Sequence, residues 1–268
     1  MPQSDREDIN PFLANGGRPL AGRTAIVTGS GQNIGRAIVL LYASAGANVV
    51  VNGHRDGEAL ERVAGEARAL GAEALTCLAD VGDSAAVQRM VDQAVERFGA
   101  VDIAVSNASR RPHQALLDIS VEDWQRVVAT NLNACFYMAK AVLPGMKARG
   151  WGRLIHISGR DGFTGMTNRA HNVTCKAGMF ALSKAIAQEF GPFGITANTV
   201  APGIIDTPRD PRDYPDYARL SEKRRRRVPV RRLGTSADIA QACFYLTTEA
   251  GAFVTGQVLH VNGGEFMF

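Results

Sequence analysis

The sequence predicts an α/β fold, a single doubly wound parallel sheet with helices on both faces. Three observations predict it. Short apolar, β-branched runs alternate with helix-length amphipathic stretches, the pattern that right-handed βαβ crossovers produce. A glycine-rich turn stands between the first such run and the first helix. No internal repeat and no linker divides the 268 residues, so one domain is expected.

The elements follow in order. Residues 24–28 (TAIVT) read as a strand buried on both faces, and 33–45 as a helix. Strands come next at 48–52, 74–78 and 103–106, separated by helices over 57–70 and 84–98. The stretch 122–149 is apolar at helical spacing and stops near Gly150, a residue suited to a helix end. A strand at 153–158, a helix over 172–190, a strand at 195–200, a helix over 236–247 and a strand at 257–261 complete the pattern. Ahead of them, residues 1–20 form a polar N-terminal arm ordered only by docking, and the domain proper spans 21–268. The segment 207–232 breaks the alternation with four prolines, two tyrosines and the run KRRRR. It reads either as a substrate lid over the strand ends or as a solvated surface excursion.

Composition narrows the function classes. With 46% hydrophobic and 21% charged residues the chain is neither mainly disordered nor collagen-like. No apolar run approaches a membrane span of about 18 residues. The first twenty residues lack an apolar signal core, so a cytoplasmic setting is expected. Cys77, Cys135, Cys175 and Cys243 are far apart with no CxxC, which suits buried thiols in a reducing compartment and no metal site. The net charge of +4 comes from 25 Arg and 5 Lys against 26 acidic residues. Residues 209–232 hold ten basic and four acidic side chains, so that segment carries +6 and the rest of the chain −2. An anionic or carrier-linked small-molecule substrate would be drawn there, although a solvated cationic helix reads the same way. No aromatic platform or recognition motif points to nucleic acid.

The turn TGSGQNIGRAI occupies residues 28–38. Gly29 and Gly31 permit a tight bend, Gly35 permits close helix–sheet packing, and the helix start offers free amides to a pyrophosphate. A plain GxGxxG expression fails because Ile34 holds its last position. The chain nevertheless resembles the short-chain dehydrogenase/reductase family, ketoacyl reductase-like members in particular. The family's TGxxxGxG stands at 28–35 with Asn33 in place of the middle glycine, and asparagine tolerates left-handed backbone angles. Asp80-Val81, the segment Ser106-Asn107-Ala108-Ser109, Asn131 in TNLNA, Pro202-Gly203 with Ile205 and Thr207, and TGQVLHVNGG at 255–264 carry the resemblance onward. It implies a Rossmann-like fold, a nicotinamide dinucleotide, carbonyl/alcohol oxidoreduction, and a homodimer or homotetramer. It also implies cofactor contacts from Gly29, Ser30, Gln32, Asn33, Ile34, Gly35, Asp80, Val81, Asn107, Ala108, Ser109, Lys176, Pro202, Gly203, Ile205 and Thr207.

An acidic residue at the end of the second strand would hold a ribose hydroxyl and repel a 2′-phosphate. Gly53 stands there, followed by His54 and Arg55, which favours NADP(H) while leaving NAD possible. The family's catalytic pattern is Tyr-x-x-x-Lys with a serine 13 residues upstream of the tyrosine. Lys176 is present, but Asn172 occupies the tyrosine position and Gly159 the serine position. Asn131 organises water behind the lysine in this reading. The proton source is left open between His171, His113, and Tyr214 or Tyr217 of the lid. Ser158 is expected to face away by strand alternation unless the strand has already ended there. Either Arg160 anchors an anionic substrate while Asp161 orients it or acts as a base, or the two close a local ion pair. Non-redox lyase or isomerase chemistry, or a catalytically silent cofactor-binding subunit, are the alternatives to an oxidoreductase.

Overall fold

A computed structural model describes residues 17–207 and 217–267, with side chains for all of these but 217–221. Tyr214 and most of the predicted arm lie outside the described residues, as does the side chain of Tyr217. Seven parallel strands form one sheet: β1 (Thr24–Val27), β2 (Asn48–Gly53), β3 (Ala74–Leu78), β4 (Ile103–Ser106), β5 (Gly152–Ile157), β6 (Ile195–Pro202) and β7 (Val258–Val261). Their order is β3-β2-β1-β4-β5-β6-β7, so the winding direction reverses between β1 and β4. A crevice opens at such a reversal, beyond the C-terminal strand ends.

Side-chain alternation builds a core on each face. Ala25, Val27, Val49, Val51, Ile103 and Val105 point to one side. There they meet α1 (Asn33–Ser44), α2 (Gly57–Ala69) and α9 (Ser236–Thr247) through Ile38, Val63 and Ile239. Ile26, Val50, Ala104 and Leu154 point to the other side. They pack on α3 (Ser84–Phe98), α5 (Ala134–Arg149) and α7 (Ala170–Phe190) through Met90, Met138 and Ile186. Burial on both faces explains why the strands read as apolar runs.

Local chemistry sets the helix ends. Asp56, Asp83 and Ser120 each accept a backbone N–H at the start of α2, α3 and α4 (Val121–Val128), and Thr235 with Asp238 forms a reciprocal capping box on α9. The helix expected over 122–149 is three pieces: α4, a π-helical turn Ala129–Asn133, and α5. A short α6 (Asp161–Thr164) follows β5. The expected lid contains α8 (Tyr217–Arg227). Leu20, the last residue of the predicted arm, is buried in the core, with its N–H donating to Ala45 O at 3.0 Å. Among the described residues no helix is long and apolar enough to cross a membrane, no acidic, His or Cys cluster is placed to hold a metal, and all four cysteines are free and buried.

Candidate active site

A cavity of about 850 Å³ lies across the C-terminal ends of the strands from β1 to β6. The first turn forms one wall through Gly29, Gln32, Asn33, Ile34 and Gly35. A Cβ on Gly29 would sit 2.8 Å from Ala108 Cα, and one on Gly35 would sit 2.4 Å from Gly29 O, so both positions exclude a side chain. Asn33 has φ of +51°, the left-handed geometry that asparagine tolerates in place of glycine. Gln32 gives α1 no side-chain cap and its first turn holds no acidic residue, so its leading amides are left for an anion.

Threonine, asparagine and serine stitch this turn to its neighbours. Thr28 Oγ1 accepts the N–H groups of Asn107 (2.9 Å) and Ala108 (3.1 Å), and Asn107 Nδ2 donates to Thr28 O and Gly29 O. Ser30 is wholly buried: its hydroxyl donates to Val27 O and accepts Asn52 N–H. Ser30 therefore shapes the turn from behind and does not line the cavity.

At one end of the cavity stand His54, Asp80 and Val81, with His54 Nε2 3.5 Å from an Asp80 carboxylate oxygen. A Cβ at Gly53 would meet Leu60 Cδ2 at 2.9 Å, so a side chain there requires the Leu60 methyl to shift. Arg55 does not reach this cavity. It faces a neighbouring depression of about 360 Å³ that Arg110, Arg111 and Arg126 also line. Ala108, Ser109, Pro202, Gly203, Ile205 and Thr207 complete the opposite walls.

The catalytic positions meet on α7. Asn172 and Lys176 are one helical turn apart and share a face that lines the cavity. Asn131, in the π-helical turn, does not line the cavity. Its Oδ1 accepts Arg110 N–H and its Nδ2 donates to Arg110 O, both at 2.8 Å. That double clamp fixes which end of the amide is the donor. The same Nδ2 donates to Asn172 Oδ1 at 3.2 Å, which turns the Asn172 NH₂ group toward the cavity. Lys176 Nζ donates to Ile157 O at 2.8 Å. Burial, the leading cause, lowers its pKa to about 8, and Arg111 pushes the same way.

The other candidates separate. His171 is sealed beneath the site: its Nδ1 accepts Asn172 N–H at 2.8 Å and its Nε2 lies 3.3 Å from Gln114 Oε1. Helix α7 begins two residues earlier than expected, and the ring sits under its first turn. His113 lines the cavity, with Nε2 against the Arg169 guanidinium. Desolvation first, then the Arg169 and Arg111 charges, lower its pKa. Ser158 stands just past the end of β5 and lines the cavity, contrary to the expectation that it faces away, with its Oγ donating to Lys176 O at 2.9 Å. Arg160 pairs with the deeply buried Glu265 and lies 3.8 Å from Asp161, whose other oxygen lies 3.8 Å from Arg169. Gly159 has open space where a Cβ would project.

Arg110, Arg111, Arg169, Arg224, Arg227 and Glu265 also line the cavity, and sequence reasoning did not single them out individually. Arg110 and Arg111 directly follow the Ser106–Ser109 motif, and Arg224 and Arg227 belong to the basic run already noted. Their convergence depends on tertiary packing of four separate segments: the loop after β4, the loop before α7, helix α8 and the stretch after β7.

Residues 29–265 match the protein family described as Enoyl-(Acyl carrier protein) reductase. The chain is 34% identical over 247 residues to the 3-oxoacyl-[acyl-carrier-protein] reductase FabG of Staphylococcus aureus, covering 91% of this chain and 98% of that one. It is 36% identical over 250 residues to the (2S)-[(R)-hydroxy(phenyl)methyl]succinyl-CoA dehydrogenase subunit BbsD of Thauera aromatica, covering 92% and 97%. Among solved structures, a mutant short-chain dehydrogenase/reductase of Serratia marcescens superposes with a TM-score of 0.85 at 32% identity, covering 92% of this chain and 99% of the other. With this fold and these likenesses spanning nearly its whole length, the chain belongs to the short-chain dehydrogenase/reductase family of oxidoreductases.

Proposed function

We propose that the protein interconverts a carbonyl and an alcohol on an anionic or carrier-linked small molecule, using a nicotinamide dinucleotide and an unusual proton donor. One observation carries the reading. A glycine cradle that excludes side chains at 29 and 35 shares a single cavity with Lys176 and the Asn172 amide. The bound cofactor would supply or accept hydride. The first turn of α1 would hold its pyrophosphate, His54 and Asp80 its adenosine end, and Pro202, Gly203 and Thr207 its nicotinamide end. The cofactor residues proposed from sequence lie on these walls, apart from Ser30 and Arg55.

NADP(H) is the preferred cofactor in this reading. Its support is the absence of a carboxylate at Gly53 and the imidazole of His54 on the wall. Arg55 contributes through the adjoining depression, which shares Arg110 and Arg111 with the main cavity. The substrate is anionic because Arg110, Arg111, Arg224 and Arg227 surround its approach. The names of the relatives fit that class: one specifies an acyl carrier protein and the other a coenzyme A ester. Of the lid expected at 207–232, residues 208–216 lie outside the described residues, and α8 brings Arg224 and Arg227 to the cavity of a one-domain protein. A cytoplasmic homodimer or homotetramer is the working assembly.

The test is direct. Purified protein is mixed with NADPH or NADH and acetoacetyl-CoA, then with a panel of ketones and aldehydes, and absorbance at 340 nm is followed. Carbonyl-dependent loss of NADPH, faster than that of NADH, is expected. Tight dinucleotide binding without turnover across the panel would refute the oxidoreductase reading.

A further inference from the structure

Reduction of a carbonyl leaves an oxygen that needs a proton, and the donors facing the cavity can be compared through their hydrogen bonds. The Asn172 amide points a donor inward but does not titrate. His113 turns Nε2 to the Arg169 guanidinium, which can only donate, so that nitrogen carries a lone pair. His171 spends both ring nitrogens on Asn172 and Gln114 outside the cavity. The Ser158 hydroxyl proton is committed to Lys176 O. Asp161 and Glu265 face Arg160 and Arg169 as acceptors. Among the described residues no tyrosine lines the cavity.

Among the described residues, Lys176 is the titratable donor that shares a helix face with the Asn172 amide on the cavity wall. Its side chain is almost wholly buried, and one of its three N–H bonds goes to Ile157 O, leaving two. The titratable and charged groups around it are Cys175 on α7, Cys135 on α5, His156 on β5, Arg111 after β4 and Asp161 on α6. Both thiols sit near 11, and His156 is pressed down to about 4 by burial and by Lys176 itself. Asp161 is the single carboxylate in that set, and its effect is the weakest of them. Burial and the Arg111 charge together outweigh the groups that would hold its proton.

We infer that Lys176 is the proton donor to the substrate oxygen, directly or through one water, with the Asn172 Nδ2 hydrogen bond polarising the same oxygen. This rests on the oxidoreductase reading above. In the step, an Nζ–H bond of Lys176 breaks as an O–H bond forms on the carbonyl oxygen. A bound dihydronicotinamide would supply the hydride that the carbonyl carbon accepts. The products are the alcohol, the oxidised nicotinamide and a neutral Lys176 amine, which regains its proton from water. In the oxidative direction the neutral amine takes the alcohol proton.

Two measurements test it. First, the cofactor-free wild-type protein is labelled competitively with acetic anhydride from pH 6 to 11, and each lysine's midpoint is read by mass spectrometry. A Lys176 midpoint near 8 is expected, and one at or above 10 overturns the inference. Second, Lys176→Arg keeps a cation that cannot release a proton. With NADPH and acetoacetyl-CoA as probes, its reduction rate at saturating NADPH is expected to fall at least about 100-fold. Wild-type reduction of acetoacetyl-CoA should fall off along an alkaline limb at or above the labelling midpoint. An arginine variant that reduces at the wild-type rate overturns the proton donor alone. A wild-type protein that neither shifts NADPH fluorescence nor reduces the thioester overturns the oxidoreductase reading, and the donor with it.

Discussion

The Lys176→Met substitution turns the burial of this ammonium into a measurable free energy. Lys176 titrates near 8 in the folded chain, against 10.5 for an ordinary lysine, with burial as the leading cause. At about 1.4 kcal/mol per unit, that drop represents about 3 kcal/mol of native-state penalty on the charged form. The sign follows from proton counts. Between pH 8 and 10.5 the unfolded chain holds the proton and the native chain has lost it, so stability from this group rises with pH. At pH 7 the whole penalty is present. Methionine removes the titration, and the lost bond to Ile157 O costs about 1–3 kcal/mol at every pH. Urea unfolding of wild type and variant at matched pH cancels every other group. The difference should move by about 3 kcal/mol in favour of wild type between pH 7 and 10.5. At the upper limit the buried thiols Cys135 and Cys175, both near 11, are still mostly protonated. A difference constant to within about 1 kcal/mol would show that Lys176 is solvated, and the reasoning fails.

Four further outcomes are expected. Gly35→Ala forces a Cβ to within 2.4 Å of Gly29 O and 2.7 Å of Ser30 Cα, so it should lower the melting temperature and abolish NADPH fluorescence enhancement. Gly159→Ser adds a side chain where nothing lies within 4 Å, so its stability should stay within about 0.5 kcal/mol of wild type by urea unfolding; combined with Asn172→Tyr, it should raise the rate of acetoacetyl-CoA reduction. Arg224→Glu with Arg227→Glu should raise the KM for acetoacetyl-CoA at least about tenfold at low salt, with the effect shrinking as ionic strength screens it. Asn172→Asp keeps the bond from Asn131 but turns an acceptor to the cavity and gives Lys176 an anionic neighbour, so reduction should fall at least about 100-fold and the alkaline limb should move to higher pH.

The sheet was legible because burial on both faces leaves an unbroken apolar signature, as in residues 49–51 and 103–105. The Asn33 substitution was also readable, since few residues other than glycine hold φ near +51°. The π-helical turn at Ala129–Asn133 was not. A single widened turn inside a long apolar stretch barely shifts the hydrophobic period, yet it sets where Asn131 clamps Arg110. The direction of Arg55 was illegible for another reason: an exposed residue after a strand follows no periodicity. His171 shows how much a boundary matters, because starting α7 at Ala170 puts that ring beneath the helix and out of the cavity.

The two replaced positions and the arginines belong to one electrostatic arrangement. A phenol beside Lys176 would use the ammonium to ease the loss of its own proton. An amide has no proton to lose, so the acidic group becomes the ammonium itself, and its acidity is set by its surroundings. Burial and Arg111 make it more acidic, and only Asp161 and two thiols near 11 oppose them. An anion seated among Arg110, Arg111, Arg224 and Arg227 changes that balance, because negative charge in a low-dielectric cavity stabilises a nearby ammonium. Arrival of an anionic substrate therefore raises the pKa of Lys176 and loads its proton, and conversion of the lysine to the amine leaves the product less firmly held. Substrate charge and proton supply are coupled, so NADPH turnover with a neutral ketone should show its alkaline limb at lower pH than turnover with acetoacetyl-CoA.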